Sequence, residues 1–196
     1  MTAMKKITAA DIIDTAAYTA QRKDHKARQR EIKKNRRIDV GPYVSFYFEN
    51  RDTMWHQIQE MLYIEKGGAE QVAEEIEAYN PLVPEGRDLR CTMMIEIDDE
   101  KRREVTLKKL GWIDEKIVMR VGEHEVRAEP LHDTERNTPD GKTSSVHFLV
   151  FNFSDAAVAA FRDETVRVTL DISHENYGHS AAITGATRAS LAADFD

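Results

Sequence analysis

One stretch of the chain decides the fold class: SVHFLVFNF, residues 145–153. Its apolar side chains stand at both odd and even positions, so a strand formed here would be buried on both faces. Such a strand belongs in the middle of a sheet that is covered on both sides. The sequence therefore predicts a sheet with residues 145–153 near its centre.

Further strand patterns lie mainly in the second half of the chain. Apolar or alternating runs predict strands over residues 44–48, 89–97, 116–121, 125–128, 166–172 and 180–183. The runs 116–121 and 125–128 read as a hairpin around Gly122. Residues 130–142 read as a polar loop.

Helical patterns fill the first half and separate the later strands. They predict helices over residues 8–18, 22–37, 70–79, 99–110, 154–162 and 186–193, and one more that is capped by Asp52 or Thr53 and ends at Gly67-Gly68. Helices early and strands late indicate an α+β fold, with N-terminal helices followed by a mixed or antiparallel sheet with interspersed helices. With no repeat or linker, we expect one domain over residues 1–196, with residues 1–38 as a helical extension packed on or near the body.

Composition indicates a globular protein of a reducing compartment. The chain has 196 residues, of which 41% are hydrophobic and 32% charged, and this suits a single folded domain. Its one cysteine, Cys91, excludes an internal disulfide and a four-cysteine metal site. The N-terminal residues lack the apolar run of a signal peptide, and no window has the roughly 20 apolar residues of a membrane span. We expect a cytoplasmic protein.

Charge is unevenly distributed. The net charge is -7, yet residues 22–37 hold nine Lys or Arg against Asp24 and Glu31. This basic segment has few apolar residues and could bind nucleic acid, or dock on an acidic surface of the same protein or of a partner. It contains no aromatic residue for base stacking, which disfavours nucleic acid.

Several motifs follow one another along the chain. They are ENRDT (49–53) with QIQEM (57–61), NPLVP (80–84), TMMIE (92–96) and TSSVHFL (143–149). In this order they resemble the bacterial domain-of-unknown-function family 3501, over residues 7–193. The family is uncharacterised, so the resemblance implies no catalytic residue. Its members tend to be encoded beside a rubrerythrin and an iron–sulfur oxidoreductase, which implies redox or oxidative-stress metabolism and either protein as a partner.

A polar cluster between a strand and a helix suggests ligand binding. Glu49 and Arg51 belong to it, and Arg51 could clamp a carboxylate or phosphate, or simply pair with an aspartate of the chain. On the following helix, Gln57 and Glu60 could line a pocket, although solvated positions explain them equally well. The predicted ligand-binding residues are Glu49, Arg51, Gln57 and Glu60.

Histidines in the predicted sheet suggest a metal. By strand alternation His147 lies on an apolar face, where it is either a core histidine bonded to a backbone carbonyl or a metal ligand or general base. His174 and His179 flank four residues; if these form a hairpin loop, the two imidazoles lie opposite each other and could share a metal ion, or they lie in water.

Glu96 completes the predicted metal set of His147, His174, His179 and Glu96. Its carboxylate is costly to bury alone, so it either pairs with an arginine such as Arg51 or binds metal beside His147. The cofactor expected from these residue types is a transition metal ion, namely iron, zinc or manganese.

No phosphate-binding, dinucleotide-binding, zinc-protease or serine-hydrolase motif is present, so whether the chain is an enzyme stays open. The favoured hypothesis is a metal- or small-ligand-binding accessory protein of redox metabolism. The alternative is a structural or assembly partner, including a homo-oligomer, that docks through its basic N-terminal helices. Nucleic-acid binding ranks last, and no membrane partner is expected.

Overall fold

The computed structural model describes residues 6–131, 136–139 and 141–196, so part of the predicted loop 130–142 lies outside the described residues. Within them the chain forms one eight-stranded sheet in the order β1-β2-β3-β6-β5-β4-β7-β8, with every neighbouring pair antiparallel. The strands are β1 Arg37–Val40, β2 Val44–Glu49, β3 Asp88–Ile95, β4 Ile117–Val121, β5 His124–Pro130, β6 Val146–Asn152, β7 Val168–His174 and β8 Tyr177–Ala182.

Six α-helices accompany the sheet in the described part of the chain. They are α1 Thr15–Lys34, α2 Arg51–Glu65, α3 Gly68–Tyr79, α4 Glu100–Lys109, α5 Asp155–Arg162 and α6 Gly185–Ala192. Short 3-10 turns precede α1 and follow α3 and α4. The predicted α+β class is confirmed, and the sheet is antiparallel.

The stretch that decided the fold class forms β6, between β3 and β5. Its two faces belong to two separate apolar clusters. Leu149 and Phe151 face the larger cluster, which all eight strands help to build. Phe148 packs on a smaller cluster that holds Met54 and Ile58 of α2. Burial on both faces explains why this strand reads as continuously apolar.

The two edge strands of the sheet are joined by one side chain. The Tyr177 hydroxyl on β8 donates to the carbonyl of Val40 at 2.8 Å. It accepts the backbone N–H groups of Tyr43 and Val44 at 2.9 and 3.2 Å. The tight turn between β1 and β2 allows this approach because Gly41 has a φ of 73° and lies where a Cβ would meet the Tyr177 hydroxyl.

The N-terminal helices differ from the prediction of helices over residues 8–18 and 22–37. Thr8 and Asp11 close a 3-10 turn, and the Asp14 carboxylate then caps α1 by accepting the N–H groups of Ala16 and Ala17 at 3.0 Å. One helix of 20 residues follows. It ends at Lys34, because Arg37 already pairs with Tyr47 in the sheet.

Helix α1 lies on α2, and its basic side chains meet acidic ones there. The Arg22 guanidinium binds both carboxylate oxygens of Glu60 at 2.8 Å, and Lys26 lies 3.7 Å from the same group. Arg28 pairs with Asp52 at 3.0 Å. Part of the basic segment therefore docks on an acidic surface of its own chain, one of the possibilities left open by the sequence.

None of the helices in the described ranges has an apolar stretch of the length that a bilayer span requires.

Replacing Tyr177 by phenylalanine tests the link between the edge strands. The change removes the hydroxyl partner of one buried N–H group, one partly buried N–H group and one buried carbonyl, so we expect the free energy of unfolding to fall by about 1–3 kcal/mol. Urea denaturation measures it. Tyr63→Phe is the matched control, because no described hydrogen bond uses that hydroxyl; an equal effect of both variants would contradict the assignment.

Candidate functional site

A cleft of about 390 Å³ opens between the sheet and the helices on its outer face. The strand register builds its floor: Tyr47 of β2 pairs with Thr92 of β3, which pairs with Phe148 of β6. Met54 and Gln57 of α2 form one wall. The remaining lining residues are Lys33, Glu49, Tyr79, Leu82, Met94 and Val146.

Glu49 is the carboxylate of this cleft. It ends β2, two residues after Tyr47, so strand alternation places both side chains on the same outer face. The residue is only 7% exposed. The Thr53 hydroxyl donates to one of its carboxylate oxygens at 2.6 Å, and the Thr92 hydroxyl lies 3.1 Å from the other.

Burial is the largest influence on the Glu49 carboxyl and raises its pKa above the usual range. The Thr53 hydrogen bond and the positive charge of Lys33 act in the opposite direction and offset the effect only in part. No ion pair to Glu49 is found in the described part of the chain. The nearby Arg36 guanidinium instead donates to the carbonyls of Phe48 and Glu49 and pairs with Asp194.

Two of the four predicted ligand-binding residues meet in this cleft. Glu49 and Gln57 both line it, and the Gln57 amide lies 3.4 Å from the Tyr79 hydroxyl. Arg51 points away and pairs with Asp11 at 2.7 Å, as the internal arginine–aspartate alternative expected. Glu60 lies under α1, where the Arg22 hydrogen bond lowers its pKa to about 2. Of the four predicted residues, Glu49 and Gln57 therefore line the cleft, whereas Arg51 and Glu60 lie elsewhere.

The predicted metal residues do not converge among the described residues. His147 is buried, and its Nε2 lies 3.1 Å from the Thr143 hydroxyl and 3.0 Å from the Ser144 carbonyl. This is the core histidine bonded to a carbonyl. Its Nδ1 has no hydrogen-bond partner in the described ranges and lies 3.8 Å from Asp114.

The hairpin that carries His174 and His179 has a different register from the predicted one. His174 pairs with Tyr177 across a two-residue turn, and His179 pairs with Ile172, so the imidazoles are not opposite each other. His174 contacts the Gly111 carbonyl through Nε2 and accepts the Asn176 N–H through Nδ1. Both nitrogens are thereby engaged, and the Asn176 contact tightens the turn.

Glu96 pairs with Arg37 at 3.3 Å rather than with Arg51, and the Tyr47 hydroxyl donates to it. Within residues 6–131, 136–139 and 141–196, no three His, Cys, Asp or Glu side chains are placed to hold a metal ion.

The basic residue of the cleft, Lys33, and its three aromatic residues, Tyr47, Tyr79 and Phe148, were not among the predicted site residues. Strand alternation with Glu49 could have found Tyr47. The position of Phe148 opposite Thr92 depends on register, and Lys33 and Tyr79 arrive from distant helices, so no local pattern could place them here.

Replacing Glu49 by glutamine tests its electrostatic cost. Because the pKa of Glu49 is raised, the folded protein binds the Glu49 proton more tightly than the unfolded chain does. The free energy of unfolding should therefore fall as pH rises from the unfolded-state pKa through the folded-state pKa. We expect the variant to be more stable at pH 7.5 by about 0.5–2 kcal/mol, because glutamine removes the cost of a buried charge at a site that is not optimised for stability. The gain should vanish below pH 4 in urea titrations. A destabilised variant at pH 7.5 would contradict this interpretation.

Replacing Glu60 by glutamine should have the opposite effect. A pKa lowered to about 2 contributes stability above the unfolded-state pKa, and that contribution is lost as pH falls toward the folded-state value. Loss of the charged hydrogen bonds to Arg22 should lower the free energy of unfolding at pH 7.5 by about 1.5–3 kcal/mol. The difference from the unchanged protein should shrink by pH 3.5; a pH-independent difference would refute the ion-pair explanation.

Comparison with known proteins adds family membership. No functionally curated protein matches the chain. A crystal structure described as a novel protein of unknown function from Burkholderia pseudomallei K96243 is similar, with 34% sequence identity and a TM-score of 0.90 over 98% of this chain and 100% of that one. The family model for a protein of unknown function, DUF3501, matches residues 6–195. The chain therefore belongs to the DUF3501 family, as the motifs between Glu49 and Leu149 indicated.

Proposed function

We propose that the chain is a small-ligand-binding accessory protein and that the cleft at Glu49 is its binding site. The observation that carries the proposal is a buried carboxylate that faces a cleft without an ion-pair partner in the described part of the chain. Burying a charge is costly unless it is paired. A group with this cost in a cleft is typical of a functional site rather than of a structural one.

The cleft suits a small organic molecule. Its volume of about 390 Å³ falls within the range of small-molecule sites, and its wall mixes apolar and polar groups. Met54, Leu82 and Met94 offer an apolar surface, whereas Glu49 and Gln57 offer polar contacts that fix orientation. An organic ligand fits these groups better than a bare metal ion, since among the described lining residues Glu49 is the one carboxylate and no imidazole or thiol joins it.

A place in redox or oxidative-stress metabolism is the second part of the proposal. Its support is the association of similar proteins with a rubrerythrin and an iron–sulfur oxidoreductase. A ligand-binding protein in such a setting would supply or sense a small molecule for its neighbours. The cleft contains no thiol, and Cys91 is fully buried on the opposite side of β3, so the ligand rather than the chain would carry any redox chemistry.

A fragment screen by ligand-observed NMR tests the binding site. We expect a subset of fragments to bind the unchanged protein and to lose binding in Gln57→Trp, where an indole fills the cleft from α2. Ile64→Trp is the matched control, because Ile64 is on the same helix but 62% exposed and outside the cleft. Equal melting temperatures of the two variants would show that folding is not the cause.

Two outcomes would overturn the proposed site: no fragment binds the unchanged protein, or the bound fragments bind Gln57→Trp and Ile64→Trp equally well.

A further inference from the structure

We infer that the ligand of the Glu49 cleft is an organic cation whose ammonium group pairs with the Glu49 carboxylate. This inference rests on the proposed function and specifies the chemical class of its ligand. Two features of the lining carry it, the unfilled hydrogen-bonding capacity of Glu49 and the aromatic rings around it, and the charge of Lys33 supplies its test.

The Glu49 carboxylate retains capacity for a donor. An ionised carboxylate has roughly four lone-pair positions, and hydroxyl donors from Thr53 and Thr92 occupy two of them. The Thr53 hydroxyl oxygen also accepts the Asn50 N–H at 2.9 Å, and the Glu49 carboxylate, at 2.6 Å, is closer to it than its other acceptor, the Asn50 carbonyl at 3.0 Å. An alkylammonium group carries up to about three donors and a full positive charge. It therefore complements the remaining lone-pair positions and the negative charge of the Glu49 carboxylate.

The Arg36 guanidinium, whose charge acts on Glu49, makes no hydrogen bond to its carboxylate. Arg36 directs its N–H groups to the carbonyls of Phe48 and Glu49, to the Ser190 carbonyl and to the Asp194 carboxylate. It is 2% exposed and fixed by these contacts. The charge of Arg36 favours the ionised form of Glu49, but the N–H donors of Arg36 are used by these other groups. The Glu49 carboxylate therefore faces the cleft with room for a charged donor.

Aromatic rings surround the same space. Tyr47, Tyr79 and Phe148 line the cleft together with Glu49. Cations bind over aromatic faces, and a carboxylate combined with aromatic rings is the chemistry that recognises ammonium ligands. The chain already uses two of these rings in this way: the guanidinium carbons of Arg37 and Arg136 lie 5.3 and 5.0 Å from the centroids of Tyr47 and Phe148. Among the described contacts, the Tyr79 ring has no cation over it.

Lys33 distinguishes a cationic ligand from an anionic one. It is the basic residue of the lining, and its side chain is exposed at the end of α1. If the ligand is a cation, Lys33 repels it, and removing the charge strengthens binding. If the ligand is an anion, Lys33 attracts it, and the same change weakens binding. The two ligand classes therefore predict opposite signs for one substitution.

The test compares three probes with the same six-carbon chain: n-hexylammonium, 1-hexanol and hexanoate. Chemical-shift titration of the full chain at pH 8 measures the dissociation constant of each. We expect n-hexylammonium to bind about tenfold or more tightly than the other two, the range of a charge-assisted hydrogen bond in a buried site. Its affinity should rise with pH through the titration of Glu49, because the ionised carboxylate is the form that pairs with it.

Two variants assign the effect. Glu49→Gln keeps the shape of the side chain and should weaken n-hexylammonium about tenfold or more, with little change for 1-hexanol. Lys33→Met should strengthen n-hexylammonium by about twofold to fivefold, as expected for removing one exposed like charge. Glu100→Gln, at the exposed start of α4, is the matched control for a lost surface carboxylate and should change neither.

The inference is overturned if 1-hexanol or hexanoate binds as tightly as n-hexylammonium, if Glu49→Gln leaves n-hexylammonium binding unchanged, or if Lys33→Met weakens it. Its failure is separable from that of the proposed function. Fragments that bind the cleft in the NMR screen while n-hexylammonium does not would remove the cation and retain the site; absence of both would remove both.

Discussion

The buried Arg36 guanidinium is the contact on which the arrangement of the chain depends. It connects the segment after α1 with the end of β2, through the carbonyls of Phe48 and Glu49, and with the C-terminal end of the chain, through Ser190 and Asp194. Burial raises the pKa of Asp194, and the charge of Arg36 opposes this. Breaking such a pair by removing one member leaves a buried charge without its partner, which is strongly destabilising.

The same contact holds the end of β2 in place beside the cleft. Glu49 offers its carbonyl to Arg36 and its carboxylate to Thr53 and Thr92. Its backbone is therefore tied to the most buried ion pair described, while its side chain turns to the other face of the sheet. A rigid backbone of this kind is what a binding group needs if it is to keep its position without a ligand to hold it.

Most of the fold could be predicted from periodicity, because the strands of the second half are long and strongly patterned. The strand β1 was missed, since Arg37-Ile38-Asp39-Val40 follows directly on a basic helical run and its alternation is only four residues long. The division of helices before Lys34 was wrong because the Asp14 cap, rather than Thr8, starts the long helix. Local cues of equal strength compete there, and tertiary contacts decide between them.

The candidate site could be predicted only in part. Glu49 and Gln57 were recognised as polar residues near the strand-to-helix junction, and both line the cleft. Glu60 was grouped with Gln57 on the same helix face, yet Arg22, distant in sequence, draws it under α1. The predicted pairing of His174 with His179 was wrong because the turn has two residues instead of four. The shorter turn shifts the register and separates the two side chains.

The two apolar clusters have different roles: the larger is the core of the sheet, and the smaller borders the cleft. The larger one, inside the curved sheet, uses residues of every strand and tolerates little change in volume. The cleft borders the smaller cluster, more than half of whose residues lie on α2, α3 and the 3-10 turn that follows α3. Substitutions at the cleft therefore act on a layer that is separate from the main core. A lineage of such proteins could exchange one ligand for another by altering the helices and the strand side chains that face them, while the strand side chains of the larger cluster stay the same.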